Sequence, residues 1–529
     1  MKTPEKPDLK VYIVAPSQYE RNGKLKRYWK TLMEPPALAV LGGLVEEAGQ
    51  NLRISVAIEN INERVERDEG YIKRIIQESR DRSSARKHLV MFSGKGFELS
   101  RLTDAQKELA RAGVNTASGG PGISLADIET YKYLISHRLP FAVGEGENIV
   151  GQLIADTMDD RIKPCYWQRD FVDLRKAPFP KFPDKREHSR TLTHYVALGV
   201  NEGCPYQCGF CTVIEIRGRK MTPERSRNAD KSIAWIEQVH NMGFKQIMIT
   251  SDNLRRGYYY KEFKKSTIEL NDRLKQEGEE LHLLIQMDLE EGILNEIEDL
   301  AAMGVRNIFF GMESSDPLAL DAEHKKQNDP SMYPVIAAKC RKFGITVSSG
   351  VMTCFPQQTP ESIHKDMTRF NEFLDLPHLY AVTPLPQSPD WIEAVRKGEL
   401  TTFDPNDYDS TRCIRDNFTK MTIREAQKAY ENSFFDLFSW EAIMKRTGYS
   451  LKDRIQTGLY GRFLAEYGRR FGKGPWHIMM DGPPLLFGGE TTLRPPDSFR
   501  GSRLDPKDPI YCSQKAFKEA KNKYLATIT

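Results

Sequence analysis

Three cysteines fall within eight residues in Cys204-Pro-Tyr-Gln-Cys208-Gly-Phe-Cys211, so any fold of this chain must let one short loop bring three thiols together. Thiolates this close can converge on one metal centre. They supply only three ligands, whereas a closed cuboidal iron–sulfur cluster needs four. A 4Fe–4S cluster held this way keeps one iron open to a substrate or cofactor, which turns an electron carrier into a catalytic site. Zinc would want a fourth ligand at a regular spacing, such as a second CxxC or a histidine pair. None follows: His194 lies ten residues upstream and His240 far downstream. The N-terminus, Met1 to Leu9, is charged and proline-containing, unlike a secretory signal, so disulfides are not expected.

At 529 residues the chain is too long for one ordinary core, and two to four domains are expected. Lys+Arg (77) and Asp+Glu (73) nearly cancel, leaving +4, which gives no electrostatic case for nucleic-acid binding. No run of about 18 apolar residues exists to span a membrane. A reducing cytoplasm is the expected location. Of the other cysteines, Cys340 reads as helix core, while Cys165, Cys413 and Cys512 are isolated.

Residues 9 to about 160 alternate strands and helices. Val11–Ala15, Ile54–Ile58, His88–Ser93, Val114–Ser118 and Pro140–Val143 read as strands, with helices over Leu38–Ala48, Tyr71–Arg82 and Leu102–Ala112. This rhythm implies an α/β, doubly wound, Rossmann-like parallel sheet over residues 1–170. Ligands of such sheets bind where strands end. The ends here are small and glycine-rich: Ser93-Gly94, Ser118-Gly119-Gly120-Pro121-Gly122 and Gly144-Glu145-Gly146-Glu147. Pro178, Pro180 and Pro183 mark residues 171–192 as a surface linker.

The rhythm restarts over residues 193–390, with strands His194–Val200, Gln246–Thr250, Leu281–Met287, Arg306–Gly311, Ile345–Met352 and His378–Pro384. Helices Asn228–Met242 and Glu290–Met303 carry apolar residues on one face. Residues 391–529 lose the rhythm and read as a mainly helical region, with patterns around Ile423–Lys445 and Leu451–Phe471. Their aromatics, Tyr430, Phe434, Phe435, Phe438 and Trp440, suggest a helical cap packing its own core ahead of a substrate groove, or a mixture of both.

With Phe210 directly before the third cysteine, the CxxxCxxC stretch resembles the signature of the radical S-adenosylmethionine (radical SAM) superfamily. The resemblance implies a partial (β/α)6 barrel, and a 4Fe–4S cluster on Cys204, Cys208 and Cys211 whose open iron chelates SAM. The cluster's electron would cleave SAM to a 5′-deoxyadenosyl radical. The cysteine loop directly follows the first strand, where a parallel barrel places its reactive centre.

Gly119-Gly120-Pro121, Val143-Gly144-Glu145-Gly146-Glu147 and Pro35-Pro36 resemble the cobalamin-binding domain that precedes many radical SAM barrels. Ser93, Gly119, Gly120, Gly144, Glu145 and Gly146 are the cofactor contacts this implies. The DxHxxG string of domains that ligate cobalt through histidine is missing. Neither His88 nor His137 stands in that context, so cobalamin would bind without a protein imidazole on cobalt.

Strand ends should present short polar groups to SAM. Candidates are Asp252 and Asn253 after the second strand, Gln286 in the third, and Ser349 in the fifth. Glu313, in the fourth strand's Gly311-Met-Glu-Ser314, resembles a family element that contacts SAM. Cys354, in Val351-Met-Thr-Cys-Phe-Pro356 where relatives often have glycine, could donate a hydrogen atom, accept a methyl group, or simply be buried. The run Arg255-Arg256 followed by Tyr258-Tyr259-Tyr260 could stack on a flat ligand.

Over residues 10–390 the chain thus resembles cobalamin-dependent radical SAM enzymes, which implies methylation of a carbon centre of a small-molecule, lipid or natural-product substrate. An apolar or aromatic substrate and an external flavodoxin- or ferredoxin-like electron donor are implied partners. The alternatives are a non-methylating radical reaction (ring closure, ring contraction, oxidation or carbon–carbon coupling) and a non-enzymatic iron–sulfur carrier.

Overall fold

The computed structural model describes residues 6–28, 31, 33–66, 70–81, 83–182, 191, 195–446 and 492–529. Its first sheet holds β1 (Leu9–Ala15), β2 (Val56–Asn62), β3 (Lys87–Ser93), β4 (Asn115–Gly119), β5 (Phe141–Val143) and β6 (Cys165–Trp167). All pairs are parallel, in the order β2-β1-β3-β4-β5-β6, with the switch point between β1 and β3. Alternation decides which face each residue takes. Val11 and Ile13 join the core under helices Pro36–Leu52 and Val150–Met158, while Tyr12 and Val14 join the core under Tyr71–Arg80 and Leu99–Arg111.

Two sequence expectations shift. The second strand begins at Val56 rather than Ile54, because Arg53 is left-handed (φ 54°) and Ile54 N–H still closes the helix on Gly49 O. A sixth strand of three residues exists at Cys165–Trp167, too short to leave a periodic signal. Cys165 is therefore a core residue.

The second sheet holds β7 (Tyr195–Leu198), β8 (Gln246–Ile249), β9 (His282–Met287), β10 (Val305–Glu313), β11 (Thr346–Thr353) and β12 (Leu376–Ala381). They are parallel and in consecutive order, the arrangement of an open half-barrel. Ile247, Leu283, Ile285, Ile308, Phe310 and Val347 belong to its main hydrophobic core. Alternate residues, including Met248, Gln286, Phe309, His378 and Tyr380, are less buried and line the concave side. Gly350 opens that side: a Cβ there would lie 3.6 Å from both the Phe309 and Tyr380 rings and 3.0 Å from Glu313 Oε2.

The described part of the 171–192 segment is less superficial than its prolines suggest. Val172, Leu174 and Phe182 are buried, and Phe179 packs edge-on against Phe182 and Trp235. The chain after residue 391 is shared between the two sheets. Helix Ile423–Phe438 gives Ala426, Tyr430, Phe434 and Leu437 to the barrel core, whereas Phe499 and Leu525, the latter on helix Gln514–Ile528, pack with Tyr131 of helix Ile128–Ser136 and Phe141 of β5. The helical pattern at Leu451–Phe471 lies outside the described residues.

Candidate functional site

The loop leaving β7 carries the three cysteines, and hydrogen bonds from later strands fix its path. Asn201 N–H donates to Ser251 Oγ (3.2 Å), Asn201 Nδ2 to Asn253 O (3.0 Å), and Gly203 N–H to Asp252 Oδ2 (2.8 Å). Gly203 has φ 99°, and a Cβ there would stand 2.8 Å from Gly218 O. Only glycine accepts both conditions. Glu202 pairs with Arg217 (2.8 Å) and Arg225 (2.9 Å). Further along, Gly209 N–H donates to Glu323 O (3.0 Å), and Asp390 N–H to Gly209 O (3.1 Å).

All three thiols are pushed up by burial, Cys211 to about 12. Cys211 also feels the charge of both other cysteines, which places the three together. Such thiols become ligands only when a strongly positive centre replaces their protons. A four-iron cube places each thiolate on its own iron, so three cysteine thiols carried on one loop are the donor set that such a cube with one open corner takes. The residues fit the cluster.

Two features near the thiols left no sequence motif. Lys325, in the turn after helix Pro317–Ala322 that follows β10, donates to Glu313 Oε1 (2.7 Å) and sits 5.7 Å from the Phe210 ring centroid. Burial alone would lower its pKa, but Glu313 and Cys208 outweigh burial and hold it above the ordinary lysine value. Gly311 leaves room for the pair, since a Cβ there would lie 2.8 Å from both Lys325 Nζ and Glu313 Oε1. Tyr206, inside the cysteine loop, donates to Asp288 Oδ2 (3.3 Å) and Glu290 Oε1 (2.5 Å), and accepts from Arg256 Nη2 (2.7 Å).

The expected cofactor contacts separate. Glu313 reaches the concave side through a register irregularity in β10 and a left-handed backbone, φ 62°. Asn253 lies against the Cys204 thiol and donates to Asp288 Oδ2 (3.1 Å), leaving its buried Oδ1 without a protein donor. Gln286 stands beside Phe309 on the concave face. Phe210 packs with Ala319, Met352 and Phe355. Asp252 is engaged by the Gly203 amide. Ser349 is fully buried and accepts from Met312 N–H (3.1 Å), bracing the β10 irregularity rather than facing the mouth.

Cys354 is buried with φ 71°; its thiol donates to Ala426 O (3.3 Å) and contacts Cys413. Arg255 and Arg256 are held by Asp288 (3.1 and 2.5 Å), and Tyr260 donates to Glu296 Oε2 (2.6 Å). Arg255, Arg256 and Tyr260 are therefore held in a partly buried ion-pair network, whereas Tyr258 is exposed and packs edge-on against Tyr259.

At the first sheet's strand ends, the Ser93 and Gly119 loops close backbone to backbone. Gly94 N–H donates to Gly119 O (3.2 Å) and Gly122 N–H to Gly94 O (2.9 Å). Gly120 (φ 89°) has Ser93 Oγ 2.8 Å from a would-be Cβ, and Gly144 (φ 117°) has Gln168 O at 2.7 Å. Gly146 packs against Leu41 and Leu44. The turns so formed are low and carry no imidazole: His88 sits at the opposite end of β3, beside Tyr12 and Ser84, and His137 is exposed. This fits a corrin bound without a histidine from this sheet on cobalt. Glu145 is not available to such a ligand. It accepts from Val172 N–H (2.7 Å) and from Arg225 Nη1 and Nη2 (3.0 and 2.5 Å).

The half-barrel carries the three-cysteine loop after its first strand, and residues 199–370, which span it, match the Radical SAM superfamily model. Among curated proteins it is 25% identical over 385 residues to the hopanoid C-2 methylase of Rhodopseudomonas palustris, covering 70% of this chain and 68% of that one. It is 22% identical over 384 residues to the bacteriochlorophyllide d C-8(2)-methyltransferase of Chlorobaculum tepidum, covering 69% and 81%. Among solved structures, the radical SAM methyltransferase TsrM of Kitasatospora setae, with cobalamin and a [4Fe-4S] cluster bound, superposes with TM-score 0.58 at 14% identity, over 85% of this chain and 90% of that one.

Proposed function

We propose that this protein is a cobalamin-dependent radical SAM enzyme that methylates a carbon centre of a small-molecule, lipid or natural-product substrate. The observation that carries the radical step is the junction of the cysteine loop with the Glu313–Lys325 pair at the half-barrel's mouth. Methyl transfer is supported by the two curated methylases, each similar over more than two thirds of this chain. When bound, the cluster with SAM supplies the 5′-deoxyadenosyl radical, and cobalamin supplies the methyl group.

Cys204, Cys208 and Cys211 would hold the cluster. Glu313, Asn253 and Gln286 face the place where SAM would sit, and Asp252 keeps the loop in register through Gly203. The turns at Ser93, Gly119–Gly120 and Gly144–Gly146 would flank the corrin, and the Pro-rich segment 171–192 would join the two halves. All eight cysteines are free thiols, and no described helix is long and apolar enough to cross a membrane. A reducing cytoplasm and an external flavodoxin- or ferredoxin-like electron donor suit such a centre.

Product analysis of the reduced holoenzyme tests the reading. A methylase forms S-adenosylhomocysteine together with 5′-deoxyadenosine. Formation of 5′-deoxyadenosine alone favours the non-methylating alternatives, and a cluster whose spectrum ignores SAM leaves only an electron carrier.

A further inference from the structure

The turn 323–328 follows helix Pro317–Ala322 and is anchored to two parts of the site at once. Glu323 O accepts the Gly209 N–H of the cysteine loop (3.0 Å). At the other end, Asn328 Nδ2 donates to Gly311 O (2.8 Å) and Met312 O (3.1 Å) on β10. The turn is closed internally, Lys325 N–H donating to Leu320 O (2.8 Å) and Asn328 N–H to Lys325 O (3.1 Å). Between these anchors Lys325 reaches Glu313, and Gln327 Nε2 lies 3.8 Å from Cys208 Sγ, within reach of an N–H···S hydrogen bond.

A free thiol could meet either end of a side-chain amide, because it can donate as well as accept. A thiolate bound to iron has no proton left, so it accepts only, and Gln327 must then present its NH2 group. Burial pushes the Cys208 thiol up, while Lys325 and Gln327 act against burial and favour the thiolate. The other two sulfurs are met from elsewhere. Cys211 Sγ accepts from Val213 N–H (3.5 Å), two residues on, and Asn253 reaches Cys204 from the end of β8. Gln327 differs in riding on the same turn as Lys325, the partner of Glu313.

We infer that Gln327 is a positioning residue for the reduction step, acting through Cys208: its amide N–H bonds the iron-bound thiolate and holds up the cluster's reduction potential. An added electron increases the negative charge on the sulfurs, so a donor aimed at sulfur stabilises the reduced cluster more than the oxidised one. The two anchors keep the donor in place, so the bond belongs to the turn and not to Gln327 alone. The inference rests on the cluster assigned above and not on methyl transfer.

A redox titration of the anaerobic holoenzyme, followed by electron paramagnetic resonance, tests it. Gln327→Leu keeps the bulk and loses the donor. At a given potential it should lower the ratio of reduced to oxidised cluster about fivefold, the weight of one ordinary hydrogen bond. Asn328→Ala, which frees the turn from β10, should produce a smaller shift of the same sign. Pulsed resonance of the reduced enzyme, with nitrogen-15 in its glutamine side chains, should show a nitrogen coupling that Gln327→Leu loses. Should Gln327→Leu fail to take up iron, the nitrogen coupling and Asn328→Ala still decide. A shift of opposite sign in either variant, an unshifted Gln327→Leu at wild-type iron content, or wild-type enzyme without the coupling overturns the inference and leaves the cluster standing. Wild-type protein that takes up no four-iron cluster overturns the cluster itself.

Discussion

Lys325 donates a 2.7 Å hydrogen bond to Glu313 Oε1, with 10% and 12% of the two side chains exposed. The same ammonium raises no barrier to anionic thiolates, since its field acts on Cys208 and Cys211 as well as on Glu313. It thus balances two kinds of negative charge at one point. A cluster that accepts an electron gains negative charge, and its potential follows the charges fixed around it.

Lys325→Met should make the cluster harder to reduce, while Glu313→Gln, which leaves the lysine charge unopposed, should make it easier. The double variant should return towards the wild-type potential. A redox titration followed by electron paramagnetic resonance reads all three, and shifts of equal sign in the two single variants would refute the charge argument. SAM binding should fall in both variants that lose Glu313.

The cysteine loop depends on Gly203 through backbone geometry alone. Gly203→Ala puts a side chain at φ 99° and 2.8 Å from Gly218 O, at a cost of about 1–3 kcal/mol for the strained backbone. Iron content per chain should drop several-fold while circular dichroism stays unchanged. Gly151→Ala is the control, since nothing lies within 4 Å of its would-be Cβ in helix Val150–Met158. Iron content there should match wild type.

What the sequence disclosed follows from range. Cys204, Cys208 and Cys211 sit within one loop, and the strand–helix rhythm repeats over short windows, so both were legible. Lys325 and Glu323 lie more than a hundred residues from Cys208 and belong to no spaced motif; only the curl of the half-barrel brings them to the loop. Glu145 misled for a related reason. Its glycine-rich surroundings suggest a cofactor turn, but Arg225, eighty residues on, claims its carboxylate.

Arg225 joins the two halves: it binds Glu145 after β5 and Glu202 two residues before Cys204. Arg225→Met should cost about 3–5 kcal/mol, because it leaves the buried Glu145 and the largely buried Glu202 facing one another with Arg217 as their remaining ion-pair partner. Urea unfolding should show the loss. Arg225→Lys should recover only part of it, since a point charge cannot reproduce the bidentate grip on Glu145.

Lys521 gives a pH prediction of known sign. Its amine is buried on helix Gln514–Ile528, donating to Ser124 O (2.5 Å) and Gln387 Oε1 (3.1 Å), and burial lowers its pKa from 10.5 to about 7. Glu215 and Lys518 are the charged groups acting on it, with opposite signs. Below about pH 7 the amine is protonated in folded and unfolded chains alike, and the burial penalty is complete. Between about 7 and 10.5 the unfolded chain binds the extra proton, so this group's contribution makes stability rise with pH. Lys521→Met removes that titration. Its stability advantage over wild type should be largest near pH 7 and shrink by up to about 1.4 kcal/mol per pH unit towards pH 10, as read from urea midpoints. An advantage independent of pH over that interval would show that the Lys521 amine titrates normally and that the C-terminal helix docks without burying a neutral lysine.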